Sequence, residues 1–132
     1  MTSRTFLGEL ACVAAARRFV RDTLQGEGQD AACDAAVLMV SELATNVVLH
    51  AGTSFEIVLD VSNGLIRVEI HDGMAVSHAF RDLIENPPTV VEPVAAGGRG
   101  IMLIGLTALR FGLQDNGPEG KAVWFELPAV VS

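Results

Sequence analysis

Positive charge is scarce in this chain. Nine Lys and Arg residues stand against sixteen Asp and Glu in 132 residues, for a formal net charge of −7. A general nucleic-acid or anionic-membrane binder needs a basic field, so both are excluded as partner classes. Lysine is almost missing: eight of the nine basic residues are Arg, and Lys121 is the single Lys. Together with abundant Ala and Val, that bias is what a GC-rich coding genome gives, and a bacterial source is expected. Cysteine is scarce as well. Cys12 and Cys33 are too few for a disulfide scaffold and too far apart for a metal site. They read as two small buried hydrophobes in a reducing compartment. No apolar run is expected to approach the roughly 18 residues of a membrane span. The stretch from Leu10 to Ala16 is short, follows Glu9 and precedes Arg17-Arg18, the wrong charge order for a signal peptide. The expected location is cytoplasmic.

What is present points to one folded domain over residues 1–132. Half the residues are hydrophobic and the mean hydropathy is +0.41, which excludes a disordered chain. A chain of this length buries roughly two thirds of its unfolded surface, enough for a core without staples. There is no internal repeat, low-complexity segment or linker.

Residues 9–25 carry Leu10, Val13, Val20 and Leu24 near helical spacing, with Gly26 and Gly28 as terminators. Asp30 is placed to cap a second helix over 30–50, apolar nearly all round and so expected to be largely buried. Residues 54–61 alternate through Phe55, Ile57, Leu59 and Val61. Asn63-Gly64 then signals a tight hairpin turn, and 65–71 alternates back through Ile66, Val68 and Ile70. Periodicity lapses over 74–99, apart from a short helix around 78–85. Such a long connection is often a lid or binding loop. A helix over 100–109 and a hairpin of strands 110–115 and 121–127 complete the chain. Hairpins imply a mostly antiparallel sheet covered on one face by helices, an α+β two-layer sandwich.

Glu42 and Asn46 lie four residues apart on the apolar second helix and so share a face. Polar groups in apolar surroundings are costly unless bonded or functional. One reading is a general base beside an amide oxygen for Mg²⁺, which takes hard oxygen ligands and keeps waters and phosphates. The other is a wet helix edge shared with Ser41, Thr45 and His50. Asp72-Gly73 at a strand end is either a turn or a buried carboxylate that accepts a hydrogen bond from a ligand amine, selecting adenine over guanine at that edge. In Gly97-Gly98-Arg99-Gly100-Ile101, glycines at a helix start let backbone N–H groups approach an anion. Arg99 could add a charge-assisted contact, and a hinge is the plainer alternative. His50, His71 and His78 have no metal-ligand spacing and read as polar residues at element ends.

The order and spacing of these signals are more specific than any one of them. Ser41-Glu42-Leu43-Ala44-Thr45-Asn46-Val47-Val48-Leu49-His50-Ala51 resembles the N-box of the GHKL ATP-binding superfamily. More narrowly, it is similar to the bacterial anti-sigma factor serine/threonine kinases. Ala16-Arg17-Arg18-Phe19-Val20 and the run from Gly120 to Pro128 resemble the short single-domain actinobacterial members, and the likeness extends over about residues 5–128.

The resemblance implies a GHKL α/β sandwich with an ATP lid at about 74–99. It implies Glu42 as the catalytic carboxylate, Asn46 as the Mg²⁺ ligand and Asp72, with Gly73 beside it, as the adenine site. Gly98 and Gly100, with Arg99 and Ile101 in the same run, would meet the phosphates of ATP. The implied partners are an anti-anti-sigma factor as substrate, a sigma factor as sequestered target and a second copy in a homodimer. The alternative is a non-catalytic regulatory binding module. Two positions depart from the family pattern. Asp72-Gly73-Met74 replaces the usual Asp-x-Gly, and Lys121-Ala122 stands where a threonine commonly helps hold a water against adenine.

Overall fold

A computed structural model describes residues 1–87 and 104–130. Five strands form one fully antiparallel sheet: β1 (Thr2–Phe6), β2 (Phe55–Ser62), β3 (Leu65–Asp72), β4 (Arg110–Asp115) and β5 (Lys121–Pro128). Their spatial order is β1-β2-β3-β5-β4, with β3 at the centre. The helices are α1 (Leu10–Gly26), α2 (Cys33–Asn46) and α3 (His78–Glu85), with a further helical turn at 104–107. Buried residues of α1 and α2 join the inward residues of the sheet in one core. This is the α+β two-layer arrangement expected.

The β2–β3 hairpin follows from its turn. Asn63 and Gly64 have φ of 53° and 76°, the left-handed pair that a two-residue turn needs to match strand twist. With the register thus set, Phe55, Ile57 and Leu59 face inward opposite Asp72, Ile70 and Val68. The same alternation continues through Ile66, Val68 and Ile70 to Asp72. A carboxylate is therefore carried onto the apolar face by the period of its strand.

Several expectations are corrected. β1 was not foreseen as a strand: only Phe6 of its five residues is buried, so it has no apolar alternation to read. The helix over 30–50 divides into a 3₁₀ turn at Asp30–Ala32, α2, and a π turn at Val47–Ala51 that ends at Gly52 with φ of 65°. Asp30 caps nothing. It is the first residue of the 3₁₀ turn, and α2 begins after Ala32 without a side-chain cap. Nor is that helix buried all round. Ala36, Met39, Val40, Leu43 and Ala44 face the core, while Leu38 and Leu49 are 48% and 57% exposed. Leu10 is exposed too, because the stripe of α1 runs through Val13, Ala16, Val20 and Leu24.

The stretch Asp30–Ala51, 22 residues with a mean hydropathy of 1.5, does have the length and composition to cross a membrane. That corrects the expectation that no such window exists. Here one face of the stretch packs in the core, as a core helix of this composition would. Of the helix expected over 100–109, 104–107 is helical, Ile104 is buried, and Leu106 and Leu109 are exposed. Residues 100–103 lie outside the described residues.

Candidate functional site

A cavity of about 270 Å³ opens between the end of α2, the ends of β3 and β5, and α3. It lies just below the roughly 300–1,000 Å³ usual for small-molecule sites. Leu43, Val47, Ile70, Phe80, Leu83 and Val123 make its walls apolar, and its polar lining includes Asn46, His50, Asp72, Ser77 and Lys121. Local sequence positions each wall. Ser77 caps α3, its Oγ accepting the Phe80 N–H at 3.1 Å, which presents the Phe80 ring to the cavity. At the end of α2 the π turn widens the last turn by one residue, with the Gly52 N–H donating to the Val47 carbonyl at 2.9 Å. Such turns recur at functional sites. This one carries His50, at an element end as expected, to the cavity lining.

Asp72 and Lys121 form the polar anchor. They are directly opposite in the β3–β5 register, on the inward face that also carries Ile70 and Val123. The Lys121 Nζ donates to both carboxylate oxygens of Asp72, at 2.9 Å to Oδ1 and 2.8 Å to Oδ2. The backbone N–H of Met74 donates to Oδ1 at 2.8 Å. The side chains are only 2% (Asp72) and 9% (Lys121) exposed. A charge so buried needs a partner, and Lys121 supplies it. The Phe80 ring centroid lies 4.9 Å from Nζ, within cation–π range. The two strand ends are also close-packed: a Cβ at Gly120 would collide with the Asp72 carbonyl oxygen, which is why glycine stands there with φ of 124°.

The expected site residues are only partly brought together. Asn46 and Asp72 line the same cavity. Glu42, one turn before Asn46 on α2, is half-buried and lies beyond the lining. Gly73 does not face the cavity. Its N–H donates to Thr53 Oγ1 at 3.1 Å, and the Thr53 side chain packs over its Cα. Gly98, Arg99, Gly100 and Ile101 lie outside the described residues, as does the lid segment beyond residue 87. The near part of that segment holds α3, in the place expected. Sequence reasoning noted Lys121 only as a departure from a family pattern. The signal was available: Lys121 is in phase with Val123, Phe125 and Leu127, a lone cation on an otherwise apolar face.

A five-stranded antiparallel sheet layered with helices on one face is an α+β arrangement consistent with the GHKL-type ATPase domains. The model of the histidine kinase-like ATPase domain matches residues 6–127, and the chain belongs to that family. No curated protein matches the chain.

Domains of this family bind ATP, usually with Mg²⁺. The cavity fits that pair. Its apolar walls suit a purine, and Asn46 offers an amide oxygen, the hard donor Mg²⁺ prefers when phosphates and water complete its shell. Among the described residues no cluster of three or more His, Cys, Asp or Glu could hold a metal alone.

Proposed function

We propose that this protein is an ATP-dependent serine/threonine kinase that acts as a cytoplasmic anti-sigma factor. Its substrate is a hydroxyl of an anti-anti-sigma factor, and its second partner is a sigma factor that it sequesters. The observation that carries the nucleotide part is Asp72 facing an apolar cavity beside Asn46. The kinase part rests on Glu42, one helical turn from Asn46 and half-buried, in a motif resembling the N-box of anti-sigma kinases.

In this reading adenine packs against Ile70 and Val123, with its amine donating to Asp72. Asn46 orients the phosphate end through its amide oxygen. Glu42 accepts the proton of the incoming Ser or Thr hydroxyl as that oxygen bonds to the γ-phosphorus and the bond to the β-phosphate oxygen breaks, leaving ADP and a phosphoprotein. Mg²⁺, when bound, neutralises charge on the phosphates. Such a base contributes typically 10²–10⁴-fold to rate. Glu42→Ala should therefore lower transfer of labelled phosphate to the antagonist by at least about 100-fold, with Mg-ATP affinity unchanged within about threefold. Transfer at the parent rate removes Glu42 from the role.

One observation favours a second reading, a regulatory module that works without nucleotide: Lys121 already occupies the Asp72 carboxylate. Thermal unfolding separates the two. A ligand present at 100 times its Kd adds about 2.7 kcal/mol, so millimolar Mg-ATP should raise the Tm of a nucleotide-binding protein by several degrees. No shift selects the module.

A further inference from the structure

We infer that Lys121 is a base-reading residue, its ammonium donating to a ring nitrogen of the adenine whose amine is accepted by Asp72. The inference rests on the nucleotide reading above and names the group that completes its base recognition. Hydrogen-bond capacity carries the argument. An ammonium has three donors and no acceptor, and an ionised carboxylate has about four lone-pair sites and no donor. Lys121 gives one proton to each Asp72 oxygen, and Met74 adds a second bond to Oδ1. Oδ1 is then filled, Oδ2 keeps one free site, and the ammonium keeps one proton. Among the described residues nothing accepts that proton. The Phe80 ring offers attraction to the charge but no lone pair.

The anchor thus presents one acceptor and one donor side by side into the cavity that both residues line. Adenine carries the complement: an exocyclic amine flanked on each side by a ring nitrogen with a free lone pair, N1 and N7. A carboxylate alone would read the amine and leave both ring nitrogens unread. The pair reads the amine and one neighbour. Its geometry is set in advance, because 72 and 121 are opposed in the β3–β5 register and Gly120 packs on the Asp72 backbone. A donor buried by a ligand that cannot accept from it incurs the full desolvation cost, so the pair also penalises bases lacking that nitrogen.

The test compares Mg-ATP with Mg-1-deaza-ATP and Mg-7-deaza-ATP by titration calorimetry, on the wild-type chain and on Lys121→Met. In each analogue one ring nitrogen is a C–H. One of the two should bind wild type about tenfold or more weakly than ATP, the loss typical of a charge-assisted bond. The other should bind like ATP. Lys121→Met should bind ATP and the weakened analogue equally. Both analogues matching ATP on wild type would overturn the inference while leaving the nucleotide reading intact. So would GTP binding more tightly than ATP, which would put the ammonium on a carbonyl oxygen, or Lys121→Met binding ATP more tightly than wild type, which would make the pair a plug. If wild type binds no Mg-ATP at millimolar concentration, the nucleotide reading falls first and this inference with it. The wild-type comparison stands even where the variant does not fold.

Discussion

Strands β3 and β5 carry a directly opposed ion pair on each face of the sheet, and the two pairs are built differently. On the face away from the core, Arg67 opposes Glu126. Glu126 also accepts from Arg110 at 2.7 Å, and Arg67 also donates to Glu69 at 2.8 Å, which in turn pairs with His71. The Arg67 guanidinium lies 4.2 Å over the Trp124 ring. Arg67, Glu69 and Glu126 have two partners each, and the cluster covers the sheet face opposite the one on which α1 and α2 pack. On the inner face Asp72 and Lys121 have only each other as charged partners among the described residues, with apolar walls and a cavity around them. Shared charge tolerates loss, and a lone buried pair does not. The outer cluster stabilises a surface, whereas the inner pair is positioned where a ligand can use it.

The largest effect expected from this contrast is on the inner face. Lys121→Met leaves the buried Asp72 without a charged partner and should cost about 3–5 kcal/mol of unfolding free energy, read by urea denaturation. Adding Asp72→Leu should recover most of that loss, since apolar replacement of a whole buried pair is often near neutral. A double variant as unstable as the single would mean that packing, not charge, sets the cost. On the outer face Gly112 lies under Trp124, and a Cβ there would stand 2.7 Å from the indole. Gly112→Ala should destabilise by about 1–3 kcal/mol, and the penalty should disappear in a Trp124→Val background. The smallest effect is on Glu69. Burial pushes its carboxyl pKa up, but hydrogen bonds from Arg67 and His71 outweigh this and hold it below the usual carboxylate range. A depressed carboxyl contributes stability above its unfolded value of about 4.3 and loses it as pH falls through the lower folded value. Glu69→Gln should therefore cost about 1 kcal/mol at pH 7 and nothing once the folded carboxyl has protonated. The neutral-pH difference should shrink in high salt. The Lys121→Met difference should not.

Much of the fold was legible because its signals are local. Asn63-Gly64 sets one hairpin, and the alternation of Phe55, Ile57, Leu59 against Ile66, Val68, Ile70 sets its register. Helical spacing and the breakers Gly26 and Gly28 mark α1. What escaped depends on distant partners. β1 has a single buried residue and exists because it pairs with β2 some fifty positions later. The π turn looks like ordinary helix to any periodicity argument. The site divides the same way. Glu42, Asn46 and Asp72 stood out as polar residues in apolar patterns, but 49 positions separate Asp72 from Lys121. Only the β3–β5 register shows that they meet.

That separation has a consequence for how the molecule is made. Closing a loop between β3 and β5 carries an entropic cost before any contact repays it, and pairings distant in sequence slow folding. The β2–β3 hairpin can assemble early from neighbours, yet one edge of β3 stays open and Asp72 stays wet until Lys121 has been synthesised and docked. During synthesis, which proceeds from the N-terminus, a chain stopped short of β5 would have much of its core and none of its polar anchor. The anchor is thus a late-forming element, and nucleotide affinity, where present, would report that the last strand is home.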